Sequence, residues 1–215
     1  MDLSLYLVTD RALCLGRPLL DVVARAVAGG VSVVQLREKH AGTREFMELG
    51  RALLGLLVPL GVPLVINDRV DVALAIGAQG VHLGQGDMPV AEARRLLGAG
   101  VRLGLSIENL DQLRAAEALP QGLVDYYGLS PIFQTPTKAE LTSSWGLEGL
   151  ARARALVAQG SKLPLVAIGG LHAGNAASVL RAGADGLAVV SALCSAPDPK
   201  QAASELQGII ARAAI

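Results

Sequence analysis

The chain has 215 residues, 52% of them hydrophobic and 18% charged, with 19 Lys plus Arg balanced by 19 Asp plus Glu. That length suits one domain spanning 1–215, and the apolar content excludes a disordered or solvating chain. The zero net charge excludes a global field for nucleic acid or an anionic membrane surface, so any anion binding must be local.

In chain order, the first ten residues lack the basic and apolar segments of a secretion signal, and no apolar run approaches the roughly 20 residues of a membrane span. A cytoplasmic location is therefore expected. A β-branched, aliphatic run at 5–8 is followed by helical periodicity at 18–28. Runs at 32–36, 63–66 and 80–83 precede helical stretches at 44–57, 70–76 and 90–97. Further strands are expected at 102–105, 124–128, 165–168 and 186–189, with helices at 173–182 and 199–213. In Ala28-Gly29-Gly30-Val31, Gly77-Ala78-Gln79-Gly80 and Ala182-Gly183-Ala184-Asp185, glycine ends a helix in the left-handed region before the next strand.

Strands alternating with helices and no linker predict an α/β fold, a single-domain (β/α)8 TIM barrel. A doubly wound open sheet would usually carry a glycine-rich dinucleotide turn after its first strand, where this chain has Thr9-Asp10-Arg11. One connection departs from the pattern. From Ser130 to Trp145 prolines, threonines and serines replace helical periodicity. A connection of about 15 residues where 2 to 6 is normal reads as a lid.

Function in such barrels collects at the C-terminal ends of the strands. Alternation places Gln35, Arg37 and Lys39 on one face of the second strand end, with Leu36 and Glu38 on the other. Asp68 and Asp87 follow neighbouring strands and can share a hard cation, which favours magnesium over zinc. Taken alone, Asp68 also reads as the N-cap of the helix at 70–76. Arg37, Lys39 and Lys138 would neutralise the oxygens of a diphosphate bound to that cation. Gly169-Gly170 after the seventh strand and Val190-Ser191 after the eighth form a second anion site, because glycine lets backbone N–H groups approach a phosphate. A plain strand-to-helix turn would use the same glycines. His40 and His172 read as surface residues, and His82 as either structural or ligand-contacting. Cys14 and Cys194 stand far apart without metal-type spacing and read as ordinary reduced thiols.

With these residues in view, the chain resembles the thiamine phosphate synthase family over nearly its whole length. The marks are Gln35-Leu36-Arg37-Glu38-Lys39, Asn67-Asp68-Arg69, Val81-His82-Leu83-Gly84-Gln85-Gly86-Asp87, Asp125-Tyr126-Tyr127-Gly128, Thr135-Pro136-Thr137-Lys138 and Ala167-Ile168-Gly169-Gly170. The resemblance implies that Gln35, Leu36, Arg37, Glu38, Lys39, Asn67, Ser106 and Lys138 bind an aminopyrimidine diphosphate, and that Asp68 and Asp87 hold Mg2+. It implies that Thr135, Pro136, Thr137, Gly170, Val190 and Ser191 receive a thiazole phosphate. It further implies a dissociative substitution, in which diphosphate leaves the pyrimidine methylene and the thiazole nitrogen captures the cation. Arg37, Lys39, Lys138 and Ser106 are the residues expected to carry catalysis.

Ser130 stands where the family usually has glycine, and residues 139–145 match no usable pattern. A thiazole tautomerase of the same fold is the nearest rival, but it carries histidine where this chain has Glu108 and lacks the Thr-x-Thr-Lys lid. A non-catalytic phosphate-binding barrel would have little use for two aspartates beside three cations. The expected partners are small phosphorylated molecules, and a homodimer is the assembly to test, on its general frequency alone.

Overall fold

The structure is a computed structural model that describes residues 1–134 and 144–213. Eight parallel strands close into a barrel in sequence order: β1 (Leu5–Val8), β2 (Val33–Leu36), β3 (Leu64–Asn67), β4 (Gly80–Leu83), β5 (Arg102–Ile107), β6 (Tyr126–Leu129), β7 (Leu165–Ile168) and β8 (Gly186–Val189). The seam joins β1 to β8 with Tyr6 opposite Ala188. The outer ring is α1 (Leu19–Ala28), α2 (Thr43–Leu57), α3 (Val70–Ile76), α4 (Val90–Leu97), α5 (Leu110–Glu117), α6 (Gly146–Gln159), α7 (Ala173–Arg181), α8 (Ser191–Cys194) and α9 (Pro199–Ala213).

Strand alternation sorts the apolar residues into two cores. Leu5, Leu7, Val34, Leu36, Leu64 and Ile66 face outward onto the helices. Tyr6, Val8, Val33, Val65, Tyr126, Val166 and Ala188 fill the barrel itself. Glycine at the helix ends behaves as its chemistry demands: Gly30, Gly77 and Gly183 all have positive φ, at 107°, 73° and 110°.

A repeated device closes the N-terminal end. The backbone N–H of Ser32, Gln79, Asp125 and Asp185 donates to the carbonyl of Leu5, Leu64, Leu103 and Leu165 respectively. The side chain of each accepts the N–H of that same leucine, at 3.1, 2.8, 2.7 and 2.7 Å. Each polar residue stands immediately before an even-numbered strand and satisfies backbone that would otherwise be buried unpaired. This explains one shifted boundary: Asp125 is engaged with Leu103, so β6 begins at Tyr126 and not at 124.

β5 runs to Ile107, two residues beyond the expected end, and so takes Ser106 into the strand. Cys14 and Cys194 are both free and buried. Although far apart in sequence, they interact across the β1–β8 seam, and burial pushes both thiols up, Cys194 to about 12. Among the described residues, no helix is long and apolar enough to cross a membrane.

Candidate active site at the mouth of the barrel

The C-terminal mouth opens into a cavity of about 900 Å³ that includes its solvent-open part. Its wall draws on Tyr6, Gln35, Arg37, Asn67, His82, Ser106, Tyr126, Gly169, Gly170, Val190 and Ser191, among others. Inward-facing positions of all eight strands thus meet residues from the turns that follow them.

Arg37 brings positive charge to the wall, and Lys39 stands outside the lining. Arg37 extends past the end of β2, its backbone N–H held by Thr9 Oγ1 at 3.1 Å and its guanidinium 3.9 Å from Asp10. Lys39 Nζ lies 3.4 Å from Asp68 Oδ2. Leu36 and Glu38, on the other parity, face elsewhere. Leu36 packs wholly in the outer core. Glu38 pairs with Arg11 at 2.8 Å, and its Oε1 is buried without a hydrogen-bond partner among the described residues. Neither side chain reaches the cavity wall, so any contact from Leu36 or Glu38 with a bound molecule falls to the backbone.

Asp68 and Asp87 face one another from the ends of β3 and β4. Burial first, then the Asp87 carboxyl, pushes the Asp68 carboxyl up, and Lys39 works against them. Asp68 also holds left-handed backbone at φ 64°, an unusual conformation for a non-glycine residue that tends to mark functional sites. The alternative helix-cap reading of Asp68 fails, because the N-cap of α3 is Arg69 and no side chain caps it. Asp87 Oδ2 accepts the Gly84 N–H at 2.6 Å, which anchors the second carboxylate. Among the described residues no group of three or more His, Cys, Asp and Glu is placed to hold a metal. Asp68 and Asp87 lie outside the cavity lining, Asp68 next in sequence to Asn67, which is part of it; two facing carboxylates are nonetheless what magnesium uses, since it keeps waters and takes phosphate oxygens as its other ligands.

The opposite wall is made of backbone. Gly169 and Gly170 have φ 106° and 66°, conformations that exclude most side chains. A Cβ on Gly169 would meet Pro131 Cβ at 2.8 Å, and one on Gly170 would meet Phe133 Cβ at 2.9 Å. The glycines therefore let the start of the 130–145 connection pack close, with Ile132 and Phe133 N–H donating to the Ile168 and Gly169 carbonyls. Val190 precedes α8, and Ser191 opens it. Thr135, Pro136, Thr137 and Lys138, named above for the thiazole and diphosphate, lie outside the described residues. The far end of the connection is fastened too: Trp145 donates its indole N–H to the Ile107 carbonyl at 3.1 Å and its backbone N–H to Pro131.

The interior joins three residues that the sequence singled out, Gln35, His82 and Ser106, through two that it did not, Tyr6 and Tyr126. His82 lies within β4 and faces inward, its Nε2 2.9 Å from Ser106 Oγ and its Nδ1 3.0 Å from Tyr126 Oη. Tyr126 Oη is 2.9 Å from Tyr6 Oη, which accepts Gln35 Nε2 at 2.8 Å. Gly104 and Gly128 leave the slot the His82 ring fills. Alternation applied to β1 and β6 is the signal that finds them, since it puts a tyrosine at an inward position of each strand. Of the other two histidines, His40 is exposed as expected. His172 does more than decorate a turn: it caps α7 through Gly174 and Asn175.

Comparison with known proteins places this geometry. The family described as thiamine monophosphate synthase matches residues 5–193. A thiamine-phosphate synthase of Albidiferax ferrireducens is 59% identical, covering 97% of this chain and 92% of its own. One from Azorhizobium caulinodans is 54% identical over 97% and 95%. A solved thiamine phosphate pyrophosphorylase from Pyrococcus furiosus superposes with a TM-score of 0.86 at 38% identity, covering 99% of this chain and 97% of that one. A 3-hexulose-6-phosphate synthase, at 17% identity and TM-score 0.70 over 96% and 99%, shares the barrel fold alone.

Proposed function

The chain belongs to the thiamine monophosphate synthase family and is a transferase, and from that premise we propose the reaction and the residues that carry it. The enzyme joins 4-amino-2-methyl-5-hydroxymethylpyrimidine diphosphate to 4-methyl-5-(2-phosphoethyl)thiazole, or its carboxylate. The methylene C–O bond breaks with its electrons leaving on diphosphate, and the thiazole nitrogen lone pair forms the new C–N bond; with the carboxylate as acceptor, the ring carbon also loses CO2 and takes up a proton. The observation that supports this reading is that Arg37 lines the same cavity as Gly169, Gly170 and Ser191, with Lys39 beyond that lining and 3.4 Å from Asp68.

Arg37 and Lys39 bind the diphosphate and stabilise the charge it gains on leaving, which is where fixed charges lower a barrier most. Asp68 and Asp87 would hold magnesium, which when bound supplies further neutralisation of that group. Gln35, Asn67 and Ser106 hold the pyrimidine, while Gly170, Val190 and Ser191 hold the thiazole phosphate and keep its ring nitrogen in line. Backbone at Leu36 and Glu38 completes the diphosphate contacts. Thr135, Pro136 and Thr137 add to the thiazole site. Lys138 reaches the diphosphate from the 130–145 lid, whose closure excludes water from the pyrimidine cation. The whole of 1–215 acts as one catalytic domain in the cytoplasm, and a homodimer is the assembly to test.

The decisive experiment incubates the protein with both substrates, with and without magnesium, and follows thiamine phosphate and free diphosphate by chromatography. Matched, magnesium-dependent formation of both is expected. Diphosphate without thiamine phosphate would refute the acceptor assignment, full turnover in EDTA would refute the metal, and unchanged turnover in Lys138→Ala would refute the lid.

A further inference from the structure

Five side chains hydrogen-bond in line across the inside of the barrel: Gln35, Tyr6, Tyr126, His82 and Ser106. All five border the cavity, with Tyr6 and Tyr126 each 1% exposed and Gln35 4%. Such a chain has a direction, because each hydroxyl brings a single proton. With the Gln35 amide N–H given to Tyr6, every proton finds an acceptor in one sense only. Tyr6 then donates to Tyr126, Tyr126 to His82 Nδ1, and His82 Nε2–H to Ser106. In the opposite sense, or with an imidazolium, the Tyr6 proton is left buried and unpaired within the chain, a state folded proteins avoid. Ser106, already accepting from His82, has its own proton to donate into the cavity. Gln35, with its amide N–H engaged, keeps its carbonyl oxygen as an acceptor.

We propose that Tyr6, Tyr126 and His82 are positioning residues that fix Ser106 as a donor and Gln35 as an acceptor toward the pyrimidine ring, and so select a 4-aminopyrimidine over its 4-oxo counterpart. The inference rests on the reaction proposed above. A 4-aminopyrimidine offers lone pairs on its ring nitrogens and N–H on its exocyclic group. The 4-oxo ring reverses the pattern on its N3–C4 edge, with an N3–H and an exocyclic acceptor oxygen, while N1 keeps its lone pair. A site with locked polarity rejects the reversed pattern because its own groups are left unpaired.

The test compares kcat/KM for the 4-amino and 4-oxo pyrimidine diphosphates in wild type, Tyr126→Phe and Tyr6→Phe. The 4-oxo ring also stabilises the developing cation less, so the change in the ratio on mutation is the measure, since intrinsic reactivity cancels. Loss of one hydroxyl at full thermal stability is expected to shrink the discrimination by about 10- to 100-fold, mainly through the amino substrate. A ratio unchanged in both folded variants would overturn the proposal. Independently of activity, 15N NMR of the His82 ring, assigned by its loss in His82→Gln, is expected to show the Nε2–H tautomer, and an Nδ1–H tautomer would overturn it. A wild type that makes no thiamine phosphate from the amino substrate would sink the reaction instead, and the tautomer would still decide the chain.

Discussion

Gly104→Ala tests whether the interior slot around His82 is a packing requirement. A Cβ at Gly104 would collide with Tyr126 Cζ and stand 2.5 Å from both His82 Nδ1 and Tyr126 Oη. Real Cβ contacts this short do not occur, so both rings must move by roughly 1 Å to reach ordinary van der Waals distance. Tyr126 is 1% exposed and has no room, and His82, held against Gly128 on one side, can yield only toward the cavity, away from its present partners. Overpacking of this kind costs about 1 to 3 kcal/mol, offset by about 0.4 to 1 kcal/mol from the stiffer unfolded chain. A chain of this length loses roughly 2 to 4 °C in Tm per kcal/mol, so a fall of up to about 10 °C is expected. Displacing Ser106's partner by about 1 Å should also lower kcat/KM by about 100-fold. Gly128→Ala, whose Cβ would meet His82 Cε1 at 2.9 Å, should show a smaller effect, and Gly42→Ala, with open space around it, none. Calorimetry and steady-state kinetics on the three variants give the ordering. A Gly104→Ala protein with wild-type Tm and kcat/KM would refute the reasoning.

Asp125 is expected to make stability acid-sensitive. Burial alone would raise its carboxyl, but the Leu103 N–H and the Arg102 and Arg94 guanidiniums outweigh it and hold it below the ordinary range. Its contribution is therefore full above the unfolded value of about 3.9 and is lost as pH falls through the lower folded value. Asp125→Asn should cost about 1 to 3 kcal/mol at pH 7 in urea unfolding, with the two proteins converging below about pH 4; parallel curves would contradict this. Asp68→Asn should raise the Tm without magnesium, because the ionised Asp68 carboxyl is disfavoured by burial and by Asp87. The same change should raise the magnesium concentration for half-maximal rate by about tenfold or more, and a lower metal-free Tm would count against the facing pair. Ellman's reagent at pH 8 should find no rapidly reacting thiol in the folded protein and two after denaturation, since burial disfavours both thiolates. Two fast thiols in the folded state would contradict the burial.

The chain's local periodicities determined the eight βα units and their order, because strand and helix each impose their own spacing on apolar residues and neither depends on distant contacts. They also set Arg37 and Lys39 on one parity, and the glycines at 169 and 170, since alternation and positive φ are properties of a residue and its neighbours. Closure of the barrel decided the rest. It brought Asp68 to face Asp87, put Glu38 against Arg11, joined Cys14 to Cys194 and ran Gln35 to Ser106 through two tyrosines and a histidine. Only the meeting of Asp68 and Asp87 was expected, because they follow neighbouring strands; the other pairings have no spacing that could announce them. Each depends on the register between strands from different parts of the chain, and register is fixed only when all eight strands hydrogen-bond into one sheet.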